Sequence, residues 1–462
     1  MLLIMKMQFL DRIDETARLK QLLSASPSAL AVLYGRRRCG KSTLLQQVVT
    51  PRDVYFLADQ REQPLQIAAF AEAVEQRAPA FAAATYPSWD AVFTNLAERC
   101  PQGINVVLDE FPYLVQSAPE LPSVIQRFMD RPEGSPISWI LCGSSQRMMQ
   151  GAVLDRSAPL YGRAREILRI RPLPAGWITT ALGLKGQAAI EAYALWGGIP
   201  RYWELAADYA SSRDALASLV LDRNGVLHDE PSRLLQDEMR SSVQAQSLLS
   251  LIGNDCHRLS EIAGRLGKPA GSLTRPLNHL IELGYIAREL PWGESARSSK
   301  RTLYHLSDPF IRFYYQFVLP YKSLLELGRT DAVLQQVMSR QDTHTAAIWE
   351  ELARESVPSL QIGGQQWNTA SRWWGQDENH RPLELDVVAE SLDRGSLLLG
   401  EVKWGCKPAE LAREVARLER LAKALPFTGG RKIVIALWTD TAGKWPSALN
   451  IITPNEVLAA LR

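Results

Sequence analysis

The chain has 462 residues, 46% of them apolar and 22% charged, the balance of an ordinary globular protein but too long for one core, so roughly three domains are expected. Its 52 basic and 50 acidic side chains nearly cancel, which excludes a globally basic nucleic-acid binder and leaves any such contact to local patches. Cys39, Cys100, Cys142, Cys256 and Cys406 are scattered without CxxC or Cys/His spacing, the leading stretch to Met7 is too short for a secretory signal, and no run of about 18 apolar residues occurs, so a cytoplasmic protein without structural zinc or a membrane span is expected.

Leu30 to Tyr34 is an apolar strand run, and Gly35-Arg36-Arg37-Arg38-Cys39-Gly40-Lys41-Ser42 follows it. Thr43 to Val48 then continues at helical spacing, giving strand, glycine loop and helix in the order of a P-loop. The glycines let successive N–H groups turn inward around phosphates, Lys41 reaches the β and γ oxygens, and the Ser42 hydroxyl can ligate Mg²⁺. ATP and Mg²⁺ are therefore the expected cofactors, with Gly35 through Thr43 cradling the nucleotide.

Asp53 to Ala58, Ile104 to Leu108, Ser138 to Cys142 and Glu166 to Ile170 read as further buried strands. Helical patterns between them, such as Leu65 to Gln76 and Trp89 to Arg99, imply a parallel sheet with the phosphate site at the strands' C-terminal ends. The strand ending in Leu108-Asp109-Glu110 carries two adjacent carboxylates. Asp109 suits Mg²⁺ coordination, and Glu110 suits orientation or activation of the attacking water. Cys142-Gly143-Ser144-Ser145 offers hydroxyls to the γ-phosphate or that water. Arg163 and Arg165 stand just ahead of the last strand, where an arginine can serve the transition state in cis or in trans.

Residues 174–240 read as a helical lid, rich in Ala, Leu and charge at helical spacing. Leu259 to Leu266, a turn at Gly267 to Gly271, and Ser272 to Leu283 give a helix-turn-helix pattern, with Pro276 in the first turn of the second helix. A strand at Gly284 to Leu290, a polar segment to Arg301 and a strand at Thr302 to Leu306 complete a winged helix. Arg275, Asn278 and His279 are its groove-facing candidates, with Arg297, Lys300 and Arg301 for phosphates. Phe310 to Tyr321 is expected as a helix on the ATPase side, and 322–340 as a connector. The remainder returns to mixed α/β, with a helix around Ala346 to Arg354 and strands at Glu384 to Ala389, Ser396 to Val402 and Lys432 to Trp438.

Phe9 to Arg12, the basic P-loop, Leu108 to Leu114, Cys142 to Ser145, Pro159 to Arg163 and Gly197-Gly198-Ile199-Pro200-Arg201-Tyr202 together resemble the archaeal-type P-loop ATPases of the AAA/STAND group. The resemblance implies a multidomain α/β chain: a parallel-sheet ATPase core over 1–173, the lid over 174–240, a winged helix over 241–306, a helical connector over 307–340 and a restriction-endonuclease-like domain over 341–462. It also places Arg12 near the adenine, favours Arg163 as the phosphate-sensing arginine with Arg201 as a second candidate, and allows a homo-oligomer. In the PD-(D/E)xK nuclease pattern that this C-terminal domain resembles, a helix Glu, a strand Asp and a following Glu-x-Lys converge. Glu350, Asp386, Glu401 and Lys403 fill those places. Asp386 and Glu401 would ligate Mg²⁺ for attack of water on a phosphodiester, with Lys403 stabilising charge. The alternative is a nucleotide-controlled switch whose winged helix and inactive nuclease-like domain bind partners.

Overall fold

The computed structural model describes residues 9–462 apart from 26–27, 133, 240–241, 296–298, 300, 377–380, 426 and 442–448. They form two compact units, Phe9–Pro172 with Asp237–Arg240, and Leu173–Gln236 with Ser241–Arg462.

The first unit is built on strands β1 (Leu30–Tyr34), β2 (Val54–Leu57), β3 (Ile104–Asp109), β4 (Ile137–Gly143) and β5 (Glu166–Arg169), all parallel in the order β2-β3-β4-β1-β5. The apolar runs of β1, β3 and β4 occupy its middle, where both faces are covered. The edge strands each leave an apolar side chain half exposed, Leu57 and Ile167. Phe70, Trp89, Phe93 and Trp139 pack edge-on or tilted between the helices Gln63–Glu75 and Trp89–Arg99 and the sheet, with ring centroids 4.7–5.7 Å apart.

The second unit begins with short helices, among them Gly186–Trp196 and Pro200–Ala207. Helices Val243–Gly253, Leu259–Leu266 and Ala270–Leu283 precede an antiparallel pair, β6 (Ile286–Glu289) and β7 (Leu303–Leu306), the element order of a winged helix. Leu273, Leu277, Leu280 and Leu283 bury one stripe of the third helix, leaving Arg275 and Asn278 exposed and His279 half exposed. That helix starts two residues earlier than the sequence suggests, so Pro276 is interior to it. The lost N–H bond would have gone to the carbonyl of Ser272, an exposed residue whose oxygen water can satisfy. Arg297 and Lys300 lie outside the described residues. Arg301 does not point to a phosphate groove: it pairs with Glu294 and donates to the Trp374 carbonyl at 2.6 Å.

The aromatic stretch from Pro309 is helical and packs on Gly186–Trp196 and Pro200–Ala207, Phe310 lying 4.8 Å from the Tyr202 ring. A single 27-residue helix, Thr330–Ser356, then runs through the expected connector boundary at 340 into the C-terminal domain. There β8 (Ser371–Gln376), β9 (Pro382–Glu390), β10 (Ser396–Lys403), β11 (Lys432–Thr439) and β12 (Asn450–Ile452) form a mixed sheet in the order β12-β11-β10-β9-β8. Helix Pro408–Ala424 crosses from β10 to its parallel neighbour β11. The last helix, Pro454–Ala460, packs against the segment from Ala175, where a Cβ on Gly176 would meet the Leu458 carbonyl at 2.1 Å. Among the described residues no helix is long and apolar enough to cross a membrane.

His344, buried inside this unit between the Phe313 and Phe317 rings, holds the Ala194 carbonyl at 2.8 Å through Nε2. Burial lowers its pKa from 6.5 to about 4. The unfolded chain therefore takes up its proton first, and the stability that neutral His344 confers above pH 6.5 is lost as pH falls toward 4, by about 3 kcal/mol. His344→Gln keeps a donor toward Ala194 without that proton site, and denaturant unfolding at pH 7 and pH 4.5 should show the wild type losing more stability than the variant. An equal loss in both would reject the assignment.

Candidate functional site

The phosphate loop leaves β1 at the C-terminal edge of the parallel sheet. Gly35 has φ +148, and a Cβ there would stand 2.2 Å from the Ile170 carbonyl after β5, so only glycine passes. Gly40, at φ +87, turns the chain into helix Lys41–Val48. Arg38 also has a positive φ, of 66. Arg36, Cys39 and Lys41 are buried, Arg38 and Ser42 half buried, and Arg37 and Thr43 exposed. Lys41 Nζ donates to the Gly35 carbonyl at 2.8 Å and the Arg36 carbonyl at 3.0 Å, which folds its charge into the loop's mouth beside the helix N-terminus. Arg12, at φ 65, approaches the Cys39 carbonyl at 3.5 Å, donates to the Arg171 carbonyl and pairs with Glu15 at 3.2 Å, which fastens the N-terminal segment to the loop.

Asp109 and Glu110 close β3 at the same edge. Asp109 is fully buried; its Oδ2 accepts from the Tyr55 hydroxyl at 2.8 Å and its Oδ1 from the Glu110 amide at 2.9 Å. Burial and the Asp109 carboxylate push the Tyr55 phenol well above its ordinary pKa, and burial does the same to the Cys142 thiol. Glu110 sits at φ 53, a left-handed conformation that costs a non-glycine residue on the order of 1 kcal/mol. Its Oε2 accepts from the Ser144 hydroxyl at 2.8 Å and lies 3.4 Å from the Ser144 amide. The hydroxyl expected to face the phosphate thus holds the second carboxylate. A lysine, a buried carboxylate and a helix N-terminus carrying Ser42 form a donor set suited to a nucleotide triphosphate and a hard divalent ion.

Arg163 lies at the other edge of the sheet. The Arg165 amide donates to the Leu30 carbonyl at 2.8 Å, so Arg163 precedes the start of β1 while the loop follows its end. At about 3.3 Å per residue the separation exceeds roughly 15 Å, and an action of Arg163 in cis is corrected on that ground. Its guanidinium grips Asp130 with both branches, at 2.7 and 2.9 Å, and donates to the Pro159 carbonyl at 3.0 Å. Arg201, in the second unit, pairs with Glu204 at 2.9 Å.

In the C-terminal domain the β9–β10 ladder ends at Gly400 opposite Val387, which sets Asp386 beside Glu401. Asp386 Oδ2 accepts from the Val402 amide at 2.9 Å. Lys403, two residues on and on the same strand face, donates to Glu401 Oε1 at 2.8 Å. Glu350 comes from the long helix, 3.9 Å from Arg354, whose guanidinium also donates to the Asp386 carbonyl at 3.1 Å. Burial first, then the Asp386 charge, raises both Glu350 and Glu401 to about 7. The four residues chosen from the motif therefore converge, but among the described residues no group of three or more His, Cys, Asp and Glu could hold a metal ion. Two participants carried no motif signal. Arg354 is one, and Arg417 of helix Pro408–Ala424 is the other, lying 3.0 Å from Glu401 Oε2 and donating to Glu414 at 3.0 Å.

An ATPase domain found predominantly in Archaea matches residues 9–205, and a family of archaeal and bacterial proteins of unknown function matches residues 314–415. An uncharacterised protein of Methanocaldococcus jannaschii is 29% identical over 402 residues, 86% of this chain and 87% of that protein. A Walker-type ATPase of Pyrococcus abyssi shares the fold at 20% identity and a TM-score of 0.52, over 67% of this chain and 96% of the other. With its phosphate loop and its parallel five-stranded sheet, the chain carries over residues 9–205 an ATPase domain of archaeal type.

Proposed function

We propose that this ATPase is Mg²⁺-dependent, acts on DNA through its winged-helix element, and cuts it at the C-terminal carboxylate centre. The observation that carries the reading of the nucleotide site is the meeting of Lys41, Asp109, Glu110 and Ser144 at the sheet edge where the phosphate loop opens. Ser42 and Asp109 would hold the Mg²⁺, which neutralises charge on the β and γ phosphates. Lys41 exchanges its loop carbonyls for phosphate oxygens. Glu110, released from Ser144, accepts the proton of the attacking water, and Arg163 serves the nucleotide of a neighbouring copy in a homo-oligomer.

At the second centre Asp386 and Glu401 would be the Mg²⁺ ligands. Two carboxylates would suffice, because Mg²⁺ is commonly bound through one or two carboxylates and retains waters. Lys403 faces the phosphate charge, and Glu350, raised to about 7, is suited to exchange a proton near neutrality. Arg275, Asn278 and His279 supply the exposed face for the DNA groove.

A second reading, a nucleotide-controlled switch whose terminal modules bind partners, is favoured by one feature: Glu401 lies between Lys403 and Arg417, two cations that compete with a metal. Incubation of the purified protein with supercoiled DNA and Mn²⁺ or Mg²⁺ separates the two. Nicking that Asp386→Ala abolishes while ATP turnover persists is the expected result. DNA retention without nicking, or nicking that survives Asp386→Ala, rejects the nuclease assignment.

A further inference from the structure

We propose that Tyr55 is a positioning residue of the nucleotide site, holding the Asp109 carboxylate in the orientation that receives a hydrated divalent cation; this role rests on the Mg²⁺ reading above. Asp109 is completely enclosed, so its orientation is fixed by the groups that donate to it. One is the Glu110 amide on Oδ1, which is backbone and comes with the strand. The Cys142 thiol of β4 also bonds the carboxylate, weakly as a thiol does, and the strong side-chain donor, on Oδ2, is the Tyr55 hydroxyl of the neighbouring strand.

The register explains why a tyrosine is needed. Tyr55 pairs with Val107 across β2 and β3, so its side chain reaches diagonally over two residues to Asp109. A diagonal step of this kind is within reach of an aromatic side chain, and the rigid phenol delivers its proton with little entropy to lose. A neutral donor has a further consequence. It satisfies the buried oxygen without cancelling the carboxylate's charge, which stays whole for a metal. Glu401 in the second unit is held in the opposite way, by the cations Lys403 and Arg417.

Tyr55→Phe keeps the ring and removes one hydrogen bond to a charged acceptor. Mn²⁺ binding, followed by the loss of free-ion electron paramagnetic resonance signal in the presence of a non-hydrolysable ATP analogue, should weaken by a factor of about ten. Binding of the analogue in excess EDTA should be unchanged. The Mg²⁺ concentration for half-maximal ATP turnover should rise by the same factor, with turnover recovering at saturating Mg²⁺. Unchanged Mn²⁺ affinity overturns the role. So does an equal loss of metal-free nucleotide affinity, which would make the hydroxyl a support of the pocket as a whole. If the wild type takes up no Mn²⁺ with the analogue, the Mg²⁺ reading itself fails and this role with it.

Discussion

Lys41→Ala is expected to abolish ATP binding, whereas Glu110→Gln should bind ATP normally and hydrolyse it slower by a factor on the order of a hundred to a thousand. The two residues share one sheet edge but act on different atoms. Lys41 is buried, and its ammonium sits among the loop carbonyls of Gly35 and Arg36. Alanine there removes the cation and leaves those carbonyls facing a tetra-anionic ligand. The Glu110 carboxylate is held instead by the Ser144 hydroxyl, just after β4. Glutamine preserves the Ser144 contact through its amide oxygen but cannot accept the water's proton. Equilibrium binding of a fluorescent ATP analogue and phosphate release, measured on both variants, give the two answers separately. Normal turnover in Glu110→Gln would remove that residue from the mechanism.

The candidate nucleotide site is legible as a pattern because Gly35 to Ser42 are eight consecutive residues after an apolar strand, and because β3 ends at Asp109 with Glu110 following it. Tyr55 was not, since an aromatic residue in an apolar strand reads as core packing until the register shows which carboxylate it reaches. The same holds for Arg417, one of several arginines in a helix of mixed charge; only the fold shows that it faces Glu401. The long helix Thr330–Ser356 is read from the sequence in two pieces, the end of a helical connector to 340 and a helix around Ala346 to Arg354. It buries Val333, Leu334 and Val337 near its start and Ile348, Trp349 and Leu352 near its end, with a polar stretch between that breaks the periodic stripe. Strand β8 was missed because Ser371-Arg372-Trp373-Trp374-Gly375-Gln376 lies at the sheet's edge, with Trp373 alone fully inward. Arg301 was misplaced for a different reason: in a polar segment between two strands, nothing local distinguishes a side chain aimed at solvent from one tied to a neighbouring sheet.

Arg163→Ala should lower ATP turnover by a factor on the order of a thousand while ATP affinity stays nearly intact, the signature of a group that meets the transition state and not the bound ground state. Distance forbids this within one chain, since Arg163 precedes the start of β1 and the phosphate loop follows its end. Turnover should then depend on protein concentration, because the arginine and the nucleotide it serves belong to different copies. The two-branched grip of Asp130 and the Pro159 carbonyl hold the guanidinium in one orientation, so little order remains to be lost when a second copy docks. Mixing decides the matter. Arg163→Ala protein keeps an intact Glu110, Glu110→Gln protein keeps an intact Arg163, and each alone should be nearly inactive. In trans, an assembly containing both has sites where a sound Glu110 meets a sound arginine from its neighbour, and activity should reappear on mixing. Were Arg163 to act within its own chain, every site in the mixture would still lack one of the two groups, and mixing would restore nothing. Wild-type turnover in Arg163→Ala would pass the role to Arg165 or Arg201, or leave the chain without such an arginine.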